Sequence, residues 1–158
     1  MTRAQTSAAG AAGAKGVPAA AGEIVTITAQ ATGLTGRYVV SAGQNHFVSD
    51  ARPNAGGPGE AVQAGQLLLS SLASCGLGLV QSRAAEMGVA LHSARAEVAF
   101  QRDTTDKTRY AAIRLAFTLV GPDQATAQSL IDHFTQNCPI YNTLQRGGGQ
   151  LTARVSVG

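Results

Sequence analysis

A chain of 158 residues with 44% hydrophobic content carries enough apolar material for one domain and a tail. Only 4% of it is aromatic and it has no Trp, so a core must be built from Ala, Leu, Val and Ile. Charged residues make up 13% and leave a formal +3, an excess read as small and dispersed, which excludes the electrostatic footprint of a nucleic-acid binder. No apolar run approaches the roughly 20 residues of a bilayer span, so no membrane partner is expected. Two cysteines are too few for a disulfide scaffold or a self-contained zinc site.

Residues 1–22 are almost entirely Ala, Gly, Ser and Thr, and bury too little surface to offset chain entropy. They read as a flexible tail ahead of a domain spanning 23–158. The tail lacks the Leu-rich block of a secretory signal, which makes the cytoplasm, with both thiols reduced, the expected compartment. GAAGAKG within it echoes a phosphate loop, but Val17-Pro18 follows where a Ser/Thr and a helix belong.

Order begins at Glu23. Val25, Ile27 and Ala29 alternate with Thr26 and Thr28, the period of a half-buried strand. GRYVVSAGQNHFVSD then places Ala42-Gly43-Gln44-Asn45 between two short β-prone runs and predicts a hairpin. ARPNAGGPGEAV, dense in Pro, Gly and Asn, is a loop. From about Val62 to Met87 the spacing is helical, with Gly88 as the stop. Leu68, Leu72, Cys75 and Leu79 form its stripe, and Leu69, Leu77 and Val80 widen it until little is polar. A helix apolar on nearly all sides has to be covered on nearly all sides, which predicts a homodimer.

Two strand-like arms, VALHSARAEVAFQRD and TRYAAIRLAFTLVG, flank the turn-rich DTTDK. Ala111, Ile113, Leu115, Phe117 and Leu119 fall on one face of the second arm, with Arg114 and Thr118 on the other. Pro122 opens a helix with Ala127, Leu130, Ile131 and Phe134 inward, ending near Asn137. Pro139 opens another, stopped at Gly147-Gly148-Gly149, and LTARVSV closes the chain as a strand with Leu151, Ala153, Val155 and Val157 inward. The order βββ-α-ββ-αα-β is α+β.

Chemistry centres on the cysteines. Cys138 precedes Pro139 and so takes the N-cap, where exposed N–H groups and the helix dipole lower a thiol's pKa. Mid-helix, Cys75 has no such help and needs a neighbouring cation. Spacing alone favours reading both thiols as small core residues. His46, His92 and His133 lack metal-site spacing, Asp123 and Asp132 read as helix polar-face residues, and no Ser-His-Asp arrangement is signalled.

SSLASCGLGLVQSRA followed, after a hairpin, by NCPIYNTL resembles the OsmC/Ohr family of thiol-dependent peroxidases, over roughly residues 24 to 157. The resemblance implies antiparallel sheets around a long central apolar helix, in an intertwined homodimer with sites at the interface. It implies that Cys75 attacks a hydroperoxide and becomes a sulfenic acid, which Cys138 resolves as a disulfide reopened by an external dithiol reductant. No cofactor is implied. The family also holds the thiolate with an Arg, and that Arg with a Glu. Arg52, in the OsmC-type position, and Arg37, closer to the Ohr-type one, both fit. Gln66 stands where the family has the Glu, and Glu60 offers a carboxylate from the loop instead. PGEAV with CGLGLVQ is similar to an OsmC-like branch for which peroxidase activity is not implied. Three readings stand at this point: a hydroperoxide-reducing enzyme, a non-catalytic protein binding an apolar ligand in the dimer pocket, and a structural dimer whose thiols are packing.

Overall fold

The computed structural model describes residues 24–158; the expected tail lies outside the described residues. The elements run β1 (Ile27–Ala31), β2 (Arg37–Ala42), β3 (Asn45–Asp50), a short 3₁₀ turn at Pro53–Ala55, α1 (Ala64–Glu86), β4 (Ser93–Arg102), β5 (Tyr110–Val120), α2 (Gln124–Asn137), α3 (Pro139–Arg146) and β6 (Leu151–Val157). The element order is the one expected. The first strand starts at Ile27, because Ile24 and Val25 have no strand opposite them and stand exposed; Glu23, where it was expected to begin, lies outside the described residues.

β1, β2 and β3 form an antiparallel meander. Ala42 pairs with Asn45, so Gly43-Gln44 is a two-residue loop, and Gly43 supplies its positive φ of 60°. The second sheet has the order β4-β5-β6. Here the expectation of antiparallel sheets is corrected: β4 and β5 pair antiparallel, but β6 lies parallel to β5. The chain leaves β5 through α2 and α3 before returning, and a crossover of that length delivers the next strand parallel.

Ile113, Leu115, Phe117 and Leu119 of β5 point to the helical side and are buried, while Arg114 and Thr118 are exposed. α2 lays Ala127, Leu130, Ile131 and Phe134 against them, all essentially inaccessible. Pro122 lies one residue before the cap rather than on the first helical position. Asp123, expected on the polar face, is the N-cap and accepts from the Thr126 N–H at 2.8 Å. Val157, expected inward, is 38% exposed at the strand's end.

In α1 the most buried stripe is Leu72, Gly76, Val80 and Ala84, with Leu68, Cys75 and Leu79 beside it and only partly covered. Phe117 sets this rotation. A Cβ on Gly76 would lie 2.7 Å from Phe117 Cζ, so only glycine lets the ring and the helix approach this closely. α1 corrects the expectation that no apolar run approaches the length of a bilayer span. Its 23 residues include an 18-residue stretch with a mean hydropathy of 1.2, so it is long and apolar enough, by length and composition only, to cross a bilayer.

Within one chain the meander does not wrap α1. Its apolar residues Ile27, Val39 and Val48 remain 54%, 41% and 41% exposed, and α1 packs against β4, β5, α2 and α3 instead. What ties the meander to the rest is the segment after β3. Asp50 N–H donates to the Val62 carbonyl at 3.1 Å, and Ser49 Oγ donates to the same oxygen at 2.9 Å.

Candidate functional site

α2 ends at Asn137 and α3 begins at Pro139, leaving Cys138 alone between them as both the C-cap of one helix and the N-cap of the other. Proline has no N–H to donate and suits the first helical position, so the chain turns there without losing a hydrogen bond. Asn142 locks the turn, its Nδ2 donating to the carbonyls of Cys138 at 2.9 Å and Thr135 at 3.1 Å. The Tyr141 N–H donates to Cys138 Sγ at 3.4 Å, which is the capping bond predicted from the sequence.

This geometry aims Cys138 at the middle of α1. The two sulfurs are 2.8 Å apart, with Cys138 Sγ donating to Cys75 Sγ, and both are free thiols. Cys138 is fully buried; Cys75, expected to be a buried nucleophile, is the more accessible of the two. Burial, and then the hydrogen bond and charge of Cys138, push the Cys75 thiol up to about 12. No guanidinium among the described residues of the chain acts on it. Cys75 therefore rests as a neutral thiol here, and becomes a thiolate only where a cation is brought to it.

The two candidate arginines are used differently. Arg37 Nε and Nη2 donate to the two Asp50 carboxylate oxygens at 2.8 Å each, and Nη2 also reaches Glu60 at 2.7 Å. Glu60 thus meets an arginine from the loop, and that arginine is Arg37. Asp50 was not legible as part of this cluster. It ends β3 like any turn-adjacent Asp, and only its register opposite Arg37 reveals it. Its side chain is wholly buried and accepts two further N–H groups, from Glu60 and Ala61, each at 2.9 Å.

The Arg37 bonds hold the Asp50 carboxyl well below the usual carboxylate range, with the backbone N–H groups adding to the effect. A depressed carboxylate contributes stability that is complete above its unfolded pKa and lost as pH falls through its folded value. Denaturant midpoints should therefore stay level from pH 7 to about 5 and decline below about pH 4. Asp50→Asn should lower the midpoint at neutral pH and flatten that acid decline. A variant with the parental acid slope would show that this cluster is not part of the acid response.

Arg52 forms no ion pair among the described residues. It lines a cavity of about 300 Å³ together with Gln63, Gln66, Arg102 and Tyr110, at the N-terminal end of α1. Gln66 Oε1 accepts the Gln63 N–H at 2.8 Å, half of a capping box, so the residue in the family's Glu position works as a helix cap. Cys75 lies nine positions on, about 13.5 Å of helix rise away. One chain thus brings Cys75 to Cys138, Arg37 to Glu60, and Arg52 to Gln66, but not the arginines to the thiols. His46, His92 and His133 stay scattered, and no metal-binding cluster occurs among the described residues.

A second cavity of about 510 Å³, lined by Leu68, Tyr110, Ile113 and Leu144 among others, opens beside α1 and α3. A smaller apolar one shares Leu68 and Leu144 with it and reaches Pro139, next to Cys138. Neither cavity is lined by a cysteine, but both offer an apolar molecule a place to lie.

Residues 57–151 match the family described as OsmC-like protein. No match was found among curated proteins. Among solved structures, an OsmC-like protein from Mycoplasma pneumoniae superposes with a TM-score of 0.73 at 24% identity, covering 86% of this chain and 96% of that one. An organic hydroperoxide resistance protein OsmC from Legionella pneumophila gives 0.67 at 20%, covering 87% and 98%. The organic hydroperoxide resistance protein OhrB of Bacillus subtilis gives 0.63 at 21%, covering 85% and 98%.

Proposed function

The chain belongs to the OsmC-like protein family, and from that premise we propose that it reduces organic hydroperoxides in peroxide defence, using Cys75 and Cys138. The 2.8 Å separation of the two sulfurs carries this reading. The names of the Legionella and Bacillus relatives agree with it. Cys75, the accessible thiol, attacks the O–O bond; the alcohol leaves and a sulfenic acid forms. Cys138 Sγ then attacks that sulfur and releases water, leaving a disulfide that an external dithiol reopens by exchange.

The neutral resting state of Cys75 requires a cation from outside its own chain. Arg52 is the arginine available for this, since Arg37 is held by two carboxylates. In this proposal a second copy supplies it, covering both the exposed flank of α1 and the apolar strands of the meander. A guanidinium there stabilises the thiolate and the departing oxyanion together. Sedimentation at micromolar concentration should return twice the chain mass; a stable monomer would remove this part of the proposal.

One equivalent of an organic hydroperoxide should remove both thiols of each chain in step and leave an intramolecular disulfide, lighter by two hydrogens. Unchanged thiols would sink the peroxidase reading. The runner-up, a binding protein for an apolar ligand, draws on the cavity beside Leu68 and Leu144 and on Gln66 in the place of a carboxylate. Its signature would be inert thiols together with an apolar molecule that co-purifies with the chain.

A further inference from the structure

Part of the positive charge gathers in one place. The β4–β5 loop and the loop after β3 meet around a cavity of about 380 Å³ lined by Arg52, Arg102, Asp103, Thr104, Lys107 and Arg109. Four cationic side chains face one carboxylate there. Arg109 is already compensated, 2.9 Å from Asp103 and 3.5 Å from Asp106. Arg52, Arg102 and Lys107 have no carboxylate partner among the described residues. Elsewhere Arg37, Arg83 and Arg95 are paired, and Arg114, Arg146 and Arg154 stand apart without a carboxylate partner among the described residues.

Solvated surface cations on flexible loops repel one another and splay apart. Here the loop is pinned. Asp103 Oδ1 accepts from the N–H groups of Thr105 at 2.9 Å and Asp106 at 3.1 Å, and Asp106 accepts from the Thr108 N–H at 3.0 Å. The Arg102 guanidinium lies 5.0 Å from the Phe100 ring centre and 5.6 Å from that of Tyr110, and those two rings are themselves stacked at 4.1 Å. Ring contact fixes the plane of the guanidinium and leaves its N–H edge able to donate.

From this juxtaposition we infer a binding site for a small polyvalent oxyanion, a molecule carrying phosphoryl groups, held by Arg102, Lys107 and Arg52 with the Thr104 hydroxyl as a further donor. A single carboxylate would leave most of the lining charge uncompensated, whereas a phosphoryl group accepts from several cations at once. The cavity falls within the range of small-molecule sites, about 300–1,000 Å³. The site lies at the far end of α1 from Cys75 of the same chain, on the side of Gln66, and shares Arg52 with the thiolate site proposed above, while Arg102 and Lys107 belong to it alone.

The test is calorimetric titration of the full chain at low ionic strength with pyrophosphate. Saturable binding is expected, weakened about tenfold or more by Arg102→Gln and likewise by Lys107→Gln. Arg154→Gln, which removes an exposed cation on β6 away from this cavity, should bind as the parent does. Arg102→Lys keeps the charge without the planar fork and should fall between. Thermal melts without ligand verify that each variant folds, and Lys107, being exposed on a loop, provides the variant least able to disturb folding. The proposal fails if pyrophosphate gives no saturable heat, if Arg102→Gln and Lys107→Gln bind like Arg154→Gln, or if acetate at equal ionic strength competes as well as pyrophosphate. It also fails if single-stranded oligonucleotides bind more tightly with increasing length, which would mark a track for a polyanion.

Discussion

Cys75→Ser should reduce hydroperoxide turnover to the uncatalysed background, whereas Cys138→Ser should complete the first step and stop with one thiol lost and a sulfenic acid retained. The asymmetry follows from the arrangement of the sulfurs. Cys75 is accessible and Cys138 is sealed behind it, capped by the Tyr141 N–H, so a hydroperoxide meets Cys75 first. Gln66→Glu belongs in the same series and should speed single-turnover thiol loss roughly ten- to a hundredfold. That is the range obtained if one charge-assisted bond of about 1.5–3 kcal/mol acts wholly on positioning Arg52. The substitution keeps an acceptor for the Gln63 N–H and places negative charge at a helix N-terminus, so the fold should hold. Equal rates in Gln66→Glu and the parent would show that Arg52 needs no carboxylate partner at that position. A Cys75→Ser variant as active as the parent would dismiss the site altogether.

Phe134→Ala should destabilise the fold by about 3–5 kcal/mol, the largest structural effect expected from one residue. Phe134 is fully buried, 5.4 Å from the Phe117 ring and 5.3 Å from Tyr141, measured between ring centres. Few other aromatics exist to refill that space in a chain with 4% of them. Its carbonyl also accepts the Cys138 N–H at 2.9 Å, so the cavity opens directly beneath the cysteine turn. Slower disulfide formation should accompany the lower denaturant midpoint. A loss below about 1 kcal/mol would show that the core collapses around the gap.

Patterns with a local cause were legible. Alternation in β5, the four-residue inward stripe of α2, the Gly43-Gln44 turn and the Cys138-Pro139 cap each follow from neighbours within a few positions, and the fold keeps them all. The pairing of Cys75 with Cys138 was implied by resemblance rather than by spacing, because 63 positions separate them and no local rule spans that interval. The rotation of α1 differs by one residue from the stripe its spacing predicts because nearly every side of the helix is apolar, and the choice falls to Phe117, which packs where Gly76 has no side chain. The parallel placement of β6 escaped the sequence for a related reason: its apolar alternation is the same in either direction.

Sequence alone determined the order and kind of the elements, the N-cap of α3, and a helix too apolar to stand uncovered, since these depend on side-chain periodicity and local backbone preference. Tertiary structure alone decided which charges meet. Asp50 joins Arg37 because two strands share a register, Glu60 joins them because a loop folds back, and four cations from two loops and the end of β4 converge on one cavity. Electrostatic partners are chosen by distance in space, and between residues this far apart along the chain only the completed packing sets that distance.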